Sequence, residues 1–570
     1  MNKNYKISTL LFVCFLAGMT ACSQNKPTPD EGEQFVEEEI TYERVKSVTN
    51  EGYYLVPGEE RTITVDYESL NKNYLKLVLK TDVNVYGAFN YVNVDDSSET
   101  GRESFYVEAS EEKQELTHFL DAYRPEFNTH SGCHHKVHEY YDIPFKTKMA
   151  QGLFSKKITN IKIKNVSEEA GTVNIIAFYV SDRNLPQEEV YLTKGHLKIG
   201  VDLMGGGTFT YLERLNYKTS KDTYYIDEIV TPDNDVYIGV NASQLVGEEG
   251  VLGSVDHHVN LINYYDAGRQ FQQSFYAGVG GSNQSTNGEN GYTRTMCWTS
   301  GTPNYWPYNP VQGGDVHCNI SQVVDYKRTG DTIYIKCKAL DWACNNSVTD
   351  SYTENWYSIE DDCVFVKNRF INFAGFENME NCNKTQLELP AAYVVHPFNN
   401  YVTYQGETPW TDDQAGLIYN SNLGSWAERA DIVNKHLEDW FAWLNSDGFG
   451  VGVYIPDVSF YASGRDNASV AFSYKHNQNA YTSPMGDSEK LRYNKQECTY
   501  SFQSCYVGNT CYTAPEIITT MLDYIPFEYS YALCVDYLPV IRNNFKHIYE
   551  NNGINNETMF AWDKKLEGKL

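Results

Sequence analysis

The chain is predicted to be all-β, an N-terminal β-sandwich or jelly roll over residues 42–185 followed by a larger β unit over 190–570 with minor helices. Three observations predict this. Short runs rich in β-branched and aromatic residues recur throughout the chain. Turn-forming Gly, Asn, Asp and Ser clusters separate them. No long stretch sustains a helical period.

In chain order, Lys3 and Lys6 precede an apolar run from Leu10 to Ala17, and "LAGMTAC" then presents small residues before Cys22. The run is too short to span a bilayer, and residues 1–21 resemble the signal peptide and lipobox of a bacterial lipoprotein. The resemblance implies lipidation of Cys22 and an outer-membrane anchor, and the acidic residues after it resemble a surface-export signal, so a cell-surface location is expected with a periplasm-facing one left open. Residues 22–41, "CSQNKPTPDEGEQFVEEEIT", are acidic and poor in core-forming residues, as expected of a solvated tether.

"YLKLVLKTDVNVYGAF" near residue 80 reads as strand, and "KITNIKIKNV" (157–166) with "TVNIIAFYV" (172–180) as a hairpin around "SEEAG". "VSDRNLPQEEVYL" (180–192) has the composition of a linker. The larger unit opens with "LKIGVDLMGGGTFTYLE", a strand, a glycine turn and a second strand. "DTIYIKCKAL" at 331, "CVFVKNRFINF" at 363 and "GFGVGVYIP" at 448 are further strands. The helical candidates are 425–444, 515–524 and 538–552. The tryptophans of "WFAWLNSDGFGVGVYIPD" are expected in the core.

The formal net charge is −29, which argues against a nucleic-acid partner because phosphate binding needs a basic face. Of thirteen cysteines, Cys14 would lie in the signal and Cys22 would be acylated, so an odd number would remain in an oxidising compartment. Cys498, Cys505 and Cys511 are close enough in sequence to staple a loop, although spacing does not give connectivity.

Three segments carry candidate chemistry. "LINYYDAGRQFQQSFYAG" (261–278), set as a strand, sends Arg269, Phe271, Gln273 and Phe275 to one face and Gln270, Gln272, Ser274 and Tyr276 to the other. Neither face is apolar throughout, which suits a wet cleft or a strand whose amides pair with neighbouring loops. "NYWPYNPVQGGDVHCN" (304–319) offers Trp306 and Tyr308 as flat surfaces for sugar rings, with Asn309, Gln312 and Asp315 as hydrogen-bonding groups. "QLELPAAYVVHPFNNYVTYQG" (386–406) sets Glu388 where Pro390 interrupts regular pairing, and carries His396 downstream.

Metal chemistry has weaker support. His130, Cys133, His134, His135 and His138 are of zinc-ligating types but match no established spacing. Asp95, Asp96 and Glu99 have the oxygens calcium needs, yet acidic turns are usually solvated. No cofactor is therefore expected.

"GVDLMGGGTFTYLE", "NLINYYDAGRQFQQSFYAG", "YWPYNPVQGGD", "LELPAAY" and "GFGVGVYIPD", in that order over roughly residues 195–460, resemble secreted bacterial carbohydrate-active proteins with a galactose-mutarotase-like β-supersandwich domain. The resemblance implies a poly- or oligosaccharide bound on a concave sheet face, with Glu388 at the position of an acid or base. The leading expectation is a glycoside hydrolase, with Glu388 and Asp266 as the carboxylate pair and Asp315 as substitute. Arg269, Gln272, Tyr276, Trp306, Tyr308, Asn309, Gln312 and His396 would hold the sugar. A polysaccharide lyase using Tyr276, His396 and Arg269 on a uronate remains open. So does a non-catalytic surface glycan-binding lipoprotein.

Overall fold

The structure is a computed structural model. It describes residues 38–69, 72–120, 156–183, 185, 189–203, 205–215, 260–262, 270–275, 308–315, 319–342, 344, 346–376, 385–395, 398, 400–404, 406, 408–420, 438–455 and 521–554. The backbone alone is described at 229–230, 236–237, 385–386, 395, 420, 430–431, 492–501 and 510–519. The chain divides into two compact units, Met1–Glu38 and Glu39–Leu570. Strands dominate the described residues, and every strand pairing among them is antiparallel.

The first strands of the second unit make two facing sheets. One places Glu43–Arg44 and Glu51–Leu55 on Gly171–Ser181, which pairs onward with Tyr74–Thr81 and then Ser110–Phe119. The other runs Glu60–Thr64, Lys156–Asn165, Val85–Asn93, Thr100–Val107. Leu75, Leu77, Leu79, Phe89, Ile161, Ile163, Ile175 and Phe178 fill the space between them.

The hairpin expected from 157–166 and 172–180 does not form. Both segments are strands, but Lys156–Asn165 belongs to one sheet and Gly171–Ser181 to the other. Alternating apolar residues mark a strand without saying which sheet it joins. Asn165 secures the crossing, donating from its amide to Leu55 O at 3.1 Å and Glu169 O at 2.8 Å.

Most of the remaining strands build one long sheet. From the edge strand Leu417–Asn420 it passes through Asn400–Tyr404, Trp440–Leu444, Phe449–Tyr454, Phe527–Tyr537, Cys363–Asn372, Val348–Glu360 and Thr332–Asp341. It continues through Pro310–Val311, Gln272–Ser274, Thr385–Val395, Thr510–Thr519 and Arg492–Ser501 to Ala430–Asp431, with Gln322–Arg328 also on Thr332–Asp341. A separate sheet of Glu189–Lys194, Leu197–Asp202 and Thr208–Arg214 joins it through a bridge between Phe209 and Phe271. Leu197–Asp202 and Thr208–Arg214 are the hairpin expected from the glycine motif.

The apolar face of this sheet encloses Tyr357, Val364, Val366, Phe370, Phe527 and Leu533 in one cluster. A second cluster, with Trp440, Tyr454, Ile541 and Phe545, lies beneath helix Leu538–Glu550. That helix is close to the expected 538–552. It buries Leu538, Ile541, Phe545 and Ile548, the spacing of one helical face. Gly452 permits its close approach, since a Cβ there would lie 2.4 Å from Ile541 Cγ2.

The other helical expectations are corrected where the chain is described. Residues 440–444 form a strand buried on both faces, Phe441 and Trp443 entering the first cluster and Trp440, Ala442 and Leu444 the second. A short run apolar at every position has no period by which to tell strand from helix. Both tryptophans are fully buried, as expected. Residues 515–519 end the strand Thr510–Thr519, consistent with the β-branched Ile517, Ile518 and Thr519.

Cys363 and Cys534 face each other on adjacent strands and form a disulfide. Cys337 is a buried free thiol. The side chains of Cys498, Cys505 and Cys511 lie outside the described residues.

Buried polar contacts join the two-sheet region to the long sheet. Asp325 accepts from Tyr74 Oη at 2.8 Å and Thr117 Oγ1 at 2.5 Å. Lys338 Nζ lies 2.6 Å from Glu103 Oε2, and Tyr352 Oη donates to the same oxygen at 3.3 Å. Tyr86 packs against Phe373 with ring centroids 5.6 Å apart.

Candidate functional site

The Gln272–Ser274 strand divides its side chains as its alternation predicts. On the inner face, Phe271 meets Phe209 edge-on at 6.0 Å and Phe275 stacks on Phe370 at 4.0 Å. Gln273 lies between these rings, fully buried, its Nε2 donating to Glu354 O at 2.8 Å. Its Oε1 has no hydrogen-bond partner among the described residues.

On the outer face, Gln272 Oε1 accepts from Gly313 N at 2.9 Å. Ser274 stands in register with Glu388 of Thr385–Val395, and directly opposed residues share a face. Asn309 reaches this strand, donating from Nδ2 to Phe275 O at 2.7 Å and Ser274 Oγ at 3.3 Å. The pairing steps out of register between Gln272 and Ser274, opposite the segment holding Pro390, which has no N–H to contribute to a ladder.

Glu388 therefore sits where regular pairing breaks, and it retains 8% exposure. On its other side it is in register with Glu516. The phenol of Tyr529 is held well above its ordinary value, first by burial and then by the charges of Tyr357 and Glu388. Its hydroxyl has no hydrogen-bond partner among the described residues.

Gln312 is fully buried beneath this strand. Its Nε2 donates to Gly206 O at 3.2 Å, Gly207 O at 3.0 Å and Asn355 Oδ1 at 2.8 Å, and its Oε1 accepts from Gln273 N at 3.2 Å. Gly206 and Gly207 adopt φ of +70° and +69°, and a Cβ on Gly206 would stand 1.9 Å from Gln312 O. The glycine motif thus supplies both the turn and the close approach. Asn355 Nδ2 passes the chain on to Asn368 Oδ1 at 2.6 Å, and Tyr357 Oη donates to Gly207 O at 3.1 Å.

The expected residues therefore separate into groups. Gln272, Asn309 and Glu388 are gathered around Ser274. Gln312 is an inward strut. Asp315 closes a loop, its carboxylate accepting from Asn319 N at 3.0 Å, Asn319 Nδ2 at 2.8 Å and Asn346 N at 2.7 Å. Tyr308 enters the apolar core, edge-on to Phe376 at 5.4 Å.

Asp266, Arg269, Tyr276, Trp306, His396, Cys22 and the histidines of 130–138 lie outside the described residues. In the acidic turn, Asp96 Oδ1 accepts from Ser98 and Glu99 Oε2 from Asn93 Nδ2. Asn355, Asn368, Tyr357 and Tyr529 were not anticipated. For Asn355 and Tyr357 the signal was an alternation in "SYTENWYSIE", where Thr353, Asn355 and Tyr357 take successive inward positions of one strand.

No protein-family model matches the chain, and no curated protein matches it. Solved structures do. A putative aldose 1-epimerase from Escherichia coli K12 aligns at 9% identity and TM-score 0.29, covering 61% of this chain and 99% of that one. A galactose mutarotase related enzyme from Lactobacillus acidophilus aligns at 9% identity and TM-score 0.29, covering 61% and 97%. A heparan sulfate lyase from Pedobacter heparinus aligns at 7% identity and TM-score 0.25, covering 63% and 37%.

Chemically, the outer face combines one carboxylate with amide and hydroxyl groups fixed by neighbouring backbone. A carboxylate on a rigid strand can hold or move a proton at a defined position, and short amides beside it can orient hydroxyl groups.

Proposed function

We propose that the chain is a lipid-anchored carbohydrate-active enzyme, a glycoside hydrolase that uses Glu388 as acid or base on a poly- or oligosaccharide. The observation that carries this reading is the position of Glu388. It is a nearly enclosed carboxylate at a break in strand pairing, on the face that carries Ser274, Gln272 and Asn309. The sequence resemblance over roughly 195–460 supports a saccharide as the ligand of that face.

Hydrolysis of a glycosidic bond takes a proton donor to the leaving oxygen and a second carboxylate that attacks or activates water. Glu388 fills the first role, and Asp266 remains the proposed partner. Anchoring at Cys22 and a cell-surface location are part of the same proposal. The Cys363–Cys534 disulfide suits a location outside the cytoplasm, since such bonds persist in oxidising compartments.

The test is incubation of the protein with plant, algal and host glycans, following reducing ends together with the ultraviolet absorbance of unsaturated uronides. Reducing ends without absorbance support hydrolysis. Both signals together make the chain a lyase, and binding without either makes it a glycan-binding protein.

A further inference from the structure

The face of the long sheet that carries Glu388 also holds, beyond the Gln272–Ser274 and Pro310–Val311 strands, a second pattern that the Glu388 site does not use. Asp325, Lys336, Glu354, Arg369 and Glu528 stand in register across five adjacent strands, a row of alternating charge. The next row is Lys327, Tyr334, Trp356, Lys367 and Ser530. Directly opposed residues share a face, so both rows lie on the side away from the apolar cluster.

The two-sheet region buries Asp325, but beyond it this face is not sealed. Side-chain exposure is 12% at Glu354, 20% at Arg369, 25% at Glu528 and 52% at Lys367, and Trp356 is partly exposed. By contrast, inward neighbours Ile335, Asn355 and Tyr357 are at 1% or less.

The rows form a connected floor. Tyr334 Oη donates to Glu354 Oε1 at 2.7 Å, and Arg369 Nη1 lies 3.3 Å from Glu354 Oε2. The Tyr334 and Trp356 rings are 5.1 Å apart, and Lys367 Nζ lies 5.3 Å from the Trp356 ring centroid. Glu108, from the two-sheet region, borders the floor with Oε2 3.9 Å from Arg369 Nη2.

We propose that this face is a second saccharide-binding surface, separate from the Glu388 site, with Trp356 and Tyr334 as its stacking platform and Glu354, Arg369, Lys367 and Glu528 binding hydroxyls. The charge pattern selects the ligand class. Acids and bases alternate at the strand spacing of about 4.8 Å, so a polyanion meets Glu354, Glu528 and Glu108, and a polycation meets Arg369 and Lys367. A neutral polyhydroxylated chain meets neither penalty and is offered both donors and acceptors. The flat apolar faces of sugar rings suit an aromatic pair. The surface would hold a long glycan while another segment of it reaches Glu388, and to that extent the proposal rests on the carbohydrate-active reading.

The test is affinity electrophoresis of the full chain through native gels containing xyloglucan, galactomannan, mixed-linkage β-glucan or polygalacturonate. At least one neutral glycan is expected to retard the protein, and polygalacturonate is not. Trp356→Ala should weaken the retarding interaction about tenfold, and Trp356→Phe should restore most of it. Unchanged urea midpoints for the Phe variant guard against misfolding. Hydrolysis of short oligosaccharides should be unaffected by either substitution.

Trp356→Ala migrating as the wild type in the retarding gel would overturn the proposal. So would failure of every neutral glycan to retard the wild type, or stronger retardation by polygalacturonate. Glu388→Gln separates the two readings: it should be retarded like the wild type, and if it hydrolyses normally, the Glu388 assignment fails while the Trp356 surface stands.

Discussion

Gln312 offers the most direct test of how the site is held. Its amide ties the Gly206–Gly207 turn, the Gln272–Ser274 strand and Asn355 together from a position with no solvent access. Replacing it with leucine leaves the Gly206 carbonyl, Asn355 Oδ1 and the Gln273 N–H without this partner, while Gly207 O keeps the Tyr357 hydroxyl. Three stranded groups at about 1–3 kcal/mol each, less about 1–2 kcal/mol returned by the leucine's apolar surface, centre on a net loss of about 4 kcal/mol. That is a large share of the roughly 5–15 kcal/mol typical of a folded domain. Urea unfolding followed by tryptophan fluorescence reads it, because Trp440 and Trp443 are fully buried in the same long sheet. A loss below about 1 kcal/mol would refute the reasoning, since the amide bonds would then be replaceable at little cost.

Two further outcomes follow from buried groups elsewhere. At the junction of the two-sheet region and the long sheet, burial pushes Glu103 up, but Lys338 and His118 outweigh it and hold the carboxyl below its ordinary value. Burial pushes the His118 imidazole down, against the pull of Glu103. A depressed pKa in the folded state means stability present above the unfolded pKa and lost below it. Stability should therefore fall as pH drops below about 6.5 through His118, and again below about 4.3 through Glu103. Acid titrations of unfolding should show the lower step reduced in Glu103→Gln and the upper one in His118→Gln; unchanged profiles would contradict the assignment. The Cys363–Cys534 bond spans a sequence separation of 171. In the loop-entropy model its loss should cost up to about 5 kcal/mol. Reductant should thus lower the urea midpoint of the wild type and leave a Cys363→Ala/Cys534→Ala variant unmoved.

The all-β character was legible because composition and turn signals agreed along the chain, and the glycine hairpin at 197–214 was legible because its pattern is local. Pairing partners were not. Residues 156–165 and 171–181 both alternate correctly, yet they belong to different sheets, a choice made by contacts distant in sequence. Trp440–Leu444 was misread for the reason that makes it a strand, since burial on both faces erases periodicity.

At the site, the two faces of 271–275 were readable by alternation alone. Glu388 was readable because Pro390 marked a break in pairing. The inward destinations of Gln312 and Tyr308 were hidden, because an amide or a phenol beside glycines and prolines has the same local sequence whether it meets a ligand or the interior of its own protein. Asn355 and Asn368 were missed because they become a ladder only once two strands are set in register.

The central claim is that Glu388 carries the chemistry. The most direct measurement is reducing-end release from a glycan cleaved by the wild-type protein, repeated with Glu388→Gln at matched concentration and equal urea midpoint. The account predicts a fall of at least about a hundredfold, the usual scale of a lost general acid or base. Release within a few fold of the wild type would contradict it.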